Sequence, residues 1–189
     1  MNPAHVLIPA MWLAWIAYWY AASLRVKQTQ RTESARSRLS HHLPLFVGAL
    51  LMGIPNIYGA ALEGRFVPPT STWQWLATAL TAAGLAFSAF ARVWLAGNWS
   101  ATVTVKQDHE LIRTGPYALV RHPIYTGMLL ALAGSALGVG KWRALIGVAL
   151  IAVAFVRKLT IEERFMAEQF GDAYARYRAE VPALVPFVI

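Results

Sequence analysis

Hydrophobic residues in this chain come in long runs separated by short polar stretches. A helix that crosses a bilayer needs about 20 mostly apolar residues, and three runs meet that length: 6–24, 43–62 and 73–96. A fourth, 123–140, is slightly short but uncharged. A fifth, 144–156, is too short alone, yet its helical pattern continues into Arg157-Lys158-Leu159-Thr160. The turn Gly138-Val-Gly-Lys-Trp-Arg143 joins the last two as a helical hairpin. The pattern predicts an all-α membrane protein of about five transmembrane helices followed by a cytosolic C-terminal helix.

Composition agrees with that setting. Of 189 residues, 57% are hydrophobic and 14% charged, against a charged share of about 25% in soluble domains. The absence of cysteine excludes disulfides, thiolate metal sites and a cysteine nucleophile. The net charge of +8 is not read as a nucleic-acid interface, because the basic residues cluster at the ends of apolar runs and form no basic stripe.

The distribution of lysine and arginine orients the chain. Arg25, Lys27, Arg31, Arg36 and Arg38 occupy the first loop; Lys106, Arg113 and Arg121 the third, with Arg92 close by; Arg157, Lys158, Arg164, Arg176 and Arg178 the tail. Only Arg65, Lys141 and Arg143 fall in the second and fourth loops, so fourteen against three place the odd loops and the C-terminus in the cytoplasm. The first run lacks a basic leader and reads as a retained helix rather than a cleaved signal. The expected location is an integral position in a bacterial inner membrane.

Small residues at Gly127, Ala131 and Ser135 allow close helix approach in lipid, with Gly147 as a possible partner. Trp12, Trp15 and Trp19 form a stripe read as interfacial anchors. His41 and His42 have no nearby third ligand and are likewise read as interfacial rather than metal-binding.

Polar chemistry concentrates in His109-Glu-Leu-Ile-Arg-Thr-Gly-Pro-Tyr-Ala-Leu-Val-Arg-His-Pro-Ile-Tyr125. Its first residues read as strand-like, Gly115-Pro116 turns the chain, and His122-Pro123 begins the fourth helix with proline where its fixed φ suits a first turn. Free N–H groups at that helix start favour a carboxylate, and Tyr117 and Tyr125 offer aromatic faces to a cation such as a sulfonium. Downstream, Leu159, Met166, Phe170, Tyr174 and Tyr177 make one apolar stripe, with Glu163 near its middle and Glu162 at its side. Gly171 is a candidate break in that helix.

These residues resemble a known family. His109-x-Leu-Ile, Gly115-Pro-Tyr117, Arg121-His-Pro-x-Tyr125-x-Gly127, Glu162-Glu163, Phe170-Gly171-x-x-Tyr174-x-x-Tyr177 and Val181-Pro-Ala-Leu-Val-Pro186 are similar, in order and spacing, to the isoprenylcysteine carboxyl methyltransferase family. The resemblance divides the chain into three N-terminal transmembrane helices, 1–96, and a catalytic region, 97–189. It implies a membrane methyltransferase using S-adenosylmethionine. His109, Leu111 and Ile112 would line the adenosine side; Tyr117, His122, Pro123, Ile124 and Tyr125 would enclose the cofactor; Glu162 would bind its polar part. Helical phase instead favours Glu163 as the inward carboxylate.

Four residues before the pair, where members of the family acting on prenylated protein cysteines have an arginine able to hold a substrate carboxylate in two bonds, this chain has Lys158, which keeps the charge and loses the fork. Lys158 is the candidate catalytic residue. The implied acceptor is lipophilic, foremost the carboxylate of an isoprenylcysteine-like molecule, with a phospholipid amine, phenolic lipid or thiol as alternatives. An NADPH-dependent sterol-type reductase and a non-catalytic membrane partner are the other classes. A lipophilic or prenylated substrate and the bilayer are the expected partners.

Overall fold

The computed structural model describes residues 4–24, 29–95, 99, 104–106 and 110–186. The described chain is nearly all helical. In order it runs α1 (Ala4–Ser23), β1 (Thr29–Thr32), α2 (Ala35–Gly53), α3 (Gly59–Glu63), α4 (Ser71–Leu95), β2 (Thr104–Lys106), a 3-10 turn at Gly115–Ala118, α5 (Pro123–Val139), α6 (Trp142–Phe170) and α7 (Asp172–Glu180).

Among the described residues three helices are long and apolar enough to cross a membrane: α1, α4 and α6. α5 is apolar but has only 17 residues. The second run departs most from its sequence pattern. α2 starts eight residues early, in the polar stretch opened by the Ser34 cap on Ser37 N, and stops at Gly53. Pro55 lies just beyond that end, and Asn56 has φ 66°, so 43–62 is divided between α2 and the short α3 rather than forming one span. At 1.5 Å per residue, the 29 residues of α6 extend about 43 Å, more than a hydrocarbon core of about 30 Å. Its apolar run ends at Val156, and the polar end from Arg157 onward therefore lies outside the membrane-spanning segment.

Packing differs from the simple hairpin. α5 packs chiefly on α4, and α6 chiefly on α2. Gly127 meets Gly84: a Cβ on Gly127 would stand 2.6 Å from Gly84 O and 2.7 Å from Ser88 N. Gly147, expected against the fourth run, meets α2 instead, where a Cβ would stand 2.6 Å from Gly48 O. The small residues thus cross-link the two halves of the sequence.

A clamp closes the end opposite the polar block. Lys141 Nζ lies 2.6 Å from Glu63, and Arg143 donates to the carbonyls of Leu51 and Met52 at 2.6 and 2.7 Å. Phe66 N donates to Gly140 O and Trp142 N to Gly64 O, fastening the α5–α6 turn to the loop after α3.

Two expectations need correction. Glu110–Ile112, expected to be strand-like, has no regular structure; the all-α class holds for the described residues apart from one short antiparallel pair, β1 with β2. The tryptophans of α1 also face inward: Trp12 Nε1 donates to Ser135 Oγ at 2.9 Å and Trp15 Nε1 to Ser88 Oγ at 2.7 Å. An indole N–H in an apolar setting needs such a partner, and the serines of α4 and α5 supply it.

Candidate functional site

The polar block forms a wall through three local devices. Gly115, at φ 60°, admits the turn that carries Pro116 and Tyr117 inward, and Tyr117 is buried with its hydroxyl toward Ala91 O. His122 caps α5 with Pro123 in the first turn, as its sequence signature indicates. The closing segment 181–186 then lies against that cap: Arg121 N donates to Pro182 O, His122 N to Ala183 O, and Thr126 Oγ1 to Leu184 O at 2.6 Å. The Val-Pro-Ala-Leu-Val-Pro tail is a strap over the helix start.

Gly171, at φ 51°, ends α6 and lets α7 fold back. α7 returns Tyr174 and Tyr177 to the same region, where Tyr177 Oη donates to Tyr117 O at 2.6 Å. Burial holds both phenols in their neutral form, pushing Tyr177 up to about 12 and Tyr174 higher. Burial likewise raises Tyr117 well above the ordinary tyrosine range.

The two glutamates separate into different tasks. Glu163 is buried, with Oε1 2.7 Å from Arg121 Nη2 and 3.2 Å from His122 Nε2, and with Arg178 3.7 Å from its other oxygen. Burial alone would raise its carboxyl, but the hydrogen bonds from His122 and Arg121 outweigh it and hold the group at about 2. Arg121 also donates to the carbonyls of Arg178 and Val181. Glu163 is therefore tied into the scaffold. Glu162 faces a cavity: Tyr125 donates to its Oε1 at 2.6 Å, His122 Nδ1 stands 3.6 Å from Oε2, and Lys158 Nζ 4.0 Å from Oε1. Helical phase located Glu163 inside the protein correctly, but inside the protein is not inside the pocket.

The cavity has a volume of about 380 Å³, within the range of small-molecule sites. Of the residues singled out from sequence, Leu111, Ile112, Tyr117, His122, Pro123, Ile124, Tyr125, Lys158 and Glu162 all line it. His109 lies outside the described residues. Lys158 sits 5.6 Å from the centroid of the Tyr125 ring, on the α6 face that also carries Glu162.

Sequence reasoning missed the N-terminal contribution. Trp15 and Trp19, stacked at 4.3 Å, line the cavity together with His41, His42 and Leu45. Interfacial reading fails for His41, which is 2% exposed. Its position opposite the α6 polar end depends on the α2–α6 packing, and the only trace of that in the sequence is the glycine pair Gly48 and Gly147.

Residues 72–173 match the family described as Phospholipid methyltransferase. The chain is 34% identical over 83 residues to Protein-S-isoprenylcysteine O-methyltransferase of Schizosaccharomyces pombe, covering 43% of this chain and 35% of that protein. It is 30% identical over 129 residues to Cobalt-zinc-cadmium resistance protein CzcN of Cupriavidus metallidurans, covering 66% of this chain and 53% of that protein. The fold is similar to that of the eukaryotic intramembrane Ras methyltransferase ICMT, with a TM-score of 0.52 and 20% identity over 81% of this chain and 52% of that one. The chain spans between about a third and about a half of the length of these relatives.

Proposed function

From a chain that belongs to the phospholipid methyltransferase family and is similar to isoprenylcysteine methyltransferases, we infer an integral membrane enzyme that transfers a methyl group from S-adenosylmethionine to a lipophilic acceptor. The observation that carries this reading is the convergence of Glu162, Tyr125, Tyr117 and Lys158 on one cavity at the start of α5. The leading acceptor is the carboxylate of an isoprenylcysteine-like molecule.

The residues present fit the donor. Glu162 offers a carboxylate to its ammonium, and the faces of Tyr117 and Tyr125 suit a sulfonium. The positive end of the α5 dipole suits its carboxylate. Leu111 and Ile112, which line the cavity, give apolar contact for a purine. When bound, S-adenosylmethionine supplies an already electrophilic methyl. The chain's work is then positioning and exclusion of water: Tyr125 fixes Glu162, the 181–186 strap fixes the start of α5, and α7 covers the cavity with Tyr174 and Tyr177. Lys158 supplies the charge that holds an acceptor carboxylate, and no proton need leave such an acceptor. We place the cavity on the cytoplasmic side, where the basic loops of the chain gather.

Calorimetry on the detergent-purified protein tests the reading. S-adenosylhomocysteine binds and NADPH does not, and Glu162→Ala weakens the binding. Failure of S-adenosylhomocysteine to bind, or indifference to the substitution, overturns it. NADPH binding instead supports a reductase.

A further inference from the structure

The cavity continues past Glu162 and Tyr125 toward the membrane interior as an apolar arm. α2 and α5 run away from the polar block, whereas α1 and α6 run back toward it. On these four helices the last lining residues met in going inward are Leu45, Met128, Trp15 and Phe155. None of the residues deeper on any of the four borders the space. Phe155 precedes Glu162 by seven residues of α6, so the arm reaches about 10 Å below the carboxylate along the helix axis.

Packing closes the end of the arm. Phe155 is 3% exposed and sets its ring 5.0 Å from that of Tyr125, and the partly buried Leu45 and Met128 pack on the same cluster from α2 and α5. Deeper still, the helices meet one another. Trp12 Nε1 reaches Ser135 Oγ on α5 at 2.9 Å, and a Cβ on Gly48 would stand 2.5 Å from Gly147 O and 2.7 Å from Ile151 Cγ1. Neither the α1–α5 side nor the α2–α6 side therefore offers the arm a continuation.

An acceptor drawn from the bilayer gains little by exchanging lipid for an apolar pocket, because both surroundings are equally apolar. Length then enters as a steric limit. A body that ends at the floor fits, whereas a longer one must coil or force packed side chains apart. Of the floor residues, Met128 is the unbranched one, a shape suited to filling such a gap.

We propose that Met128, with Leu45 and Phe155, is the floor that limits the length of the acceptor's apolar body, so that short lipophilic acceptors are methylated in preference to long ones. The proposal rests on the methyl-transfer reading and narrows its acceptor class.

The test uses the full chain in lipid nanodiscs with S-adenosylmethionine and three acceptors: N-acetylcysteine carrying an S-geranyl, S-farnesyl or S-geranylgeranyl group. In the wild type kcat/KM falls from the geranyl to the geranylgeranyl acceptor by about tenfold or more, the scale on which an apolar pocket discriminates size. Met128→Ala opens the floor and raises the ratio of long to short acceptor about tenfold. Leu45→Ala, which opens it from the other half of the sequence, moves the ratio the same way and serves if the first variant does not fold. Leu130→Ala, on the same helix but 39% exposed and outside the cavity, leaves the ratio at its wild-type value. S-adenosylhomocysteine affinity stays constant across the set, which assigns the shift to the acceptor. The proposal is overturned if the wild type takes all three acceptors alike or prefers the longest. It is equally overturned if folded Met128→Ala or Leu45→Ala keeps the wild-type ratio, the result given by a tail that leaves sideways between helices, or if Leu130→Ala shifts it as far. A wild type that binds S-adenosylhomocysteine and methylates none of the three also ends it. Failure to bind S-adenosylhomocysteine is a different result and sinks the methyl-transfer reading itself.

Discussion

Tyr125 donates its hydroxyl to Glu162 Oε1 at 2.6 Å, joining the first turn of α5 to the polar end of α6 across the cavity. The bond leaves the other oxygen of Glu162 toward His122 and fixes the direction in which the carboxylate points.

A hydrogen bond to a charged group contributes about 1.5–3 kcal/mol, and about 1.4 kcal/mol is a factor of ten in affinity. Glu162→Ala is therefore expected to weaken S-adenosylhomocysteine binding 10- to 100-fold or more. Tyr125→Phe keeps the ring face and loses only the orienting bond, so a loss of about three- to tenfold is expected. Calorimetric titration of both variants checks the order; equal losses would mean that the hydroxyl itself contacts the ligand.

Glu163 supports the scaffold, and its removal acts on stability. Glu163→Ala strands Arg121 in a buried setting and is expected to cost about 3 kcal/mol, read as a lower thermal midpoint in detergent, where Glu162→Ala shifts it little. The pH dependence has a definite sign. The carboxyl ordinarily titrates at 4.5 and here at about 2, so its stabilising contribution is complete above pH 4.5 and is lost as pH falls toward 2. Glu163→Gln flattens the stability profile in that window. A wild-type profile already flat there would show that the network does not hold Glu163 ionised.

Much of the site was legible because its residues sit in one stretch with distinct backbone demands. Gly115-Pro116 dictates a turn, His122-Pro123 a helix start, and Gly171 a helix end, and each occurs where the sequence places it. The N-terminal half carries no such punctuation near its contribution. Trp15 and Trp19 read as anchors although they are pocket walls, because an amphipathic ring satisfies either surrounding. His41 follows a polar stretch that resembles an ordinary interface, and only α2 packing on α6 encloses it. The division of 43–62 was hidden because hydropathy averages over Pro55 and Asn56, whereas backbone geometry does not.

The α4–α5 contact is set by glycine backbones rather than by side-chain fit. A Cβ at Gly84 would stand 2.5 Å from Gly127 O and 2.9 Å from Ala131 Cα, and neither can yield without moving a helix. Gly84→Leu is expected to abolish monodisperse protein after extraction, while Gly53→Leu, where a Cβ meets nothing within 4 Å, does not. Size-exclusion profiles of the two variants separate a packing effect from a general intolerance of bulk.

Lys158 is where substrate preference is open to measurement. Its Nζ lies 4.0 Å from Glu162 Oε1 and over the Tyr125 ring, so its charge sits in the cavity wall beside the carboxylate proposed to bind the donor. A single ammonium attracts an acceptor carboxylate without the two-bond fork of a guanidinium. Lys158→Met is expected to raise the KM for N-acetyl-S-farnesylcysteine at least tenfold, and Lys158→Arg to restore it or lower it below wild type. Weaker donor binding would raise KM for a different reason, so S-adenosylhomocysteine affinity is measured on both variants; it should change much less than KM. If Lys158→Met leaves KM for the carboxylate acceptor where it was, the ammonium does not hold the acceptor, and a carboxylate substrate loses its main support in this cavity.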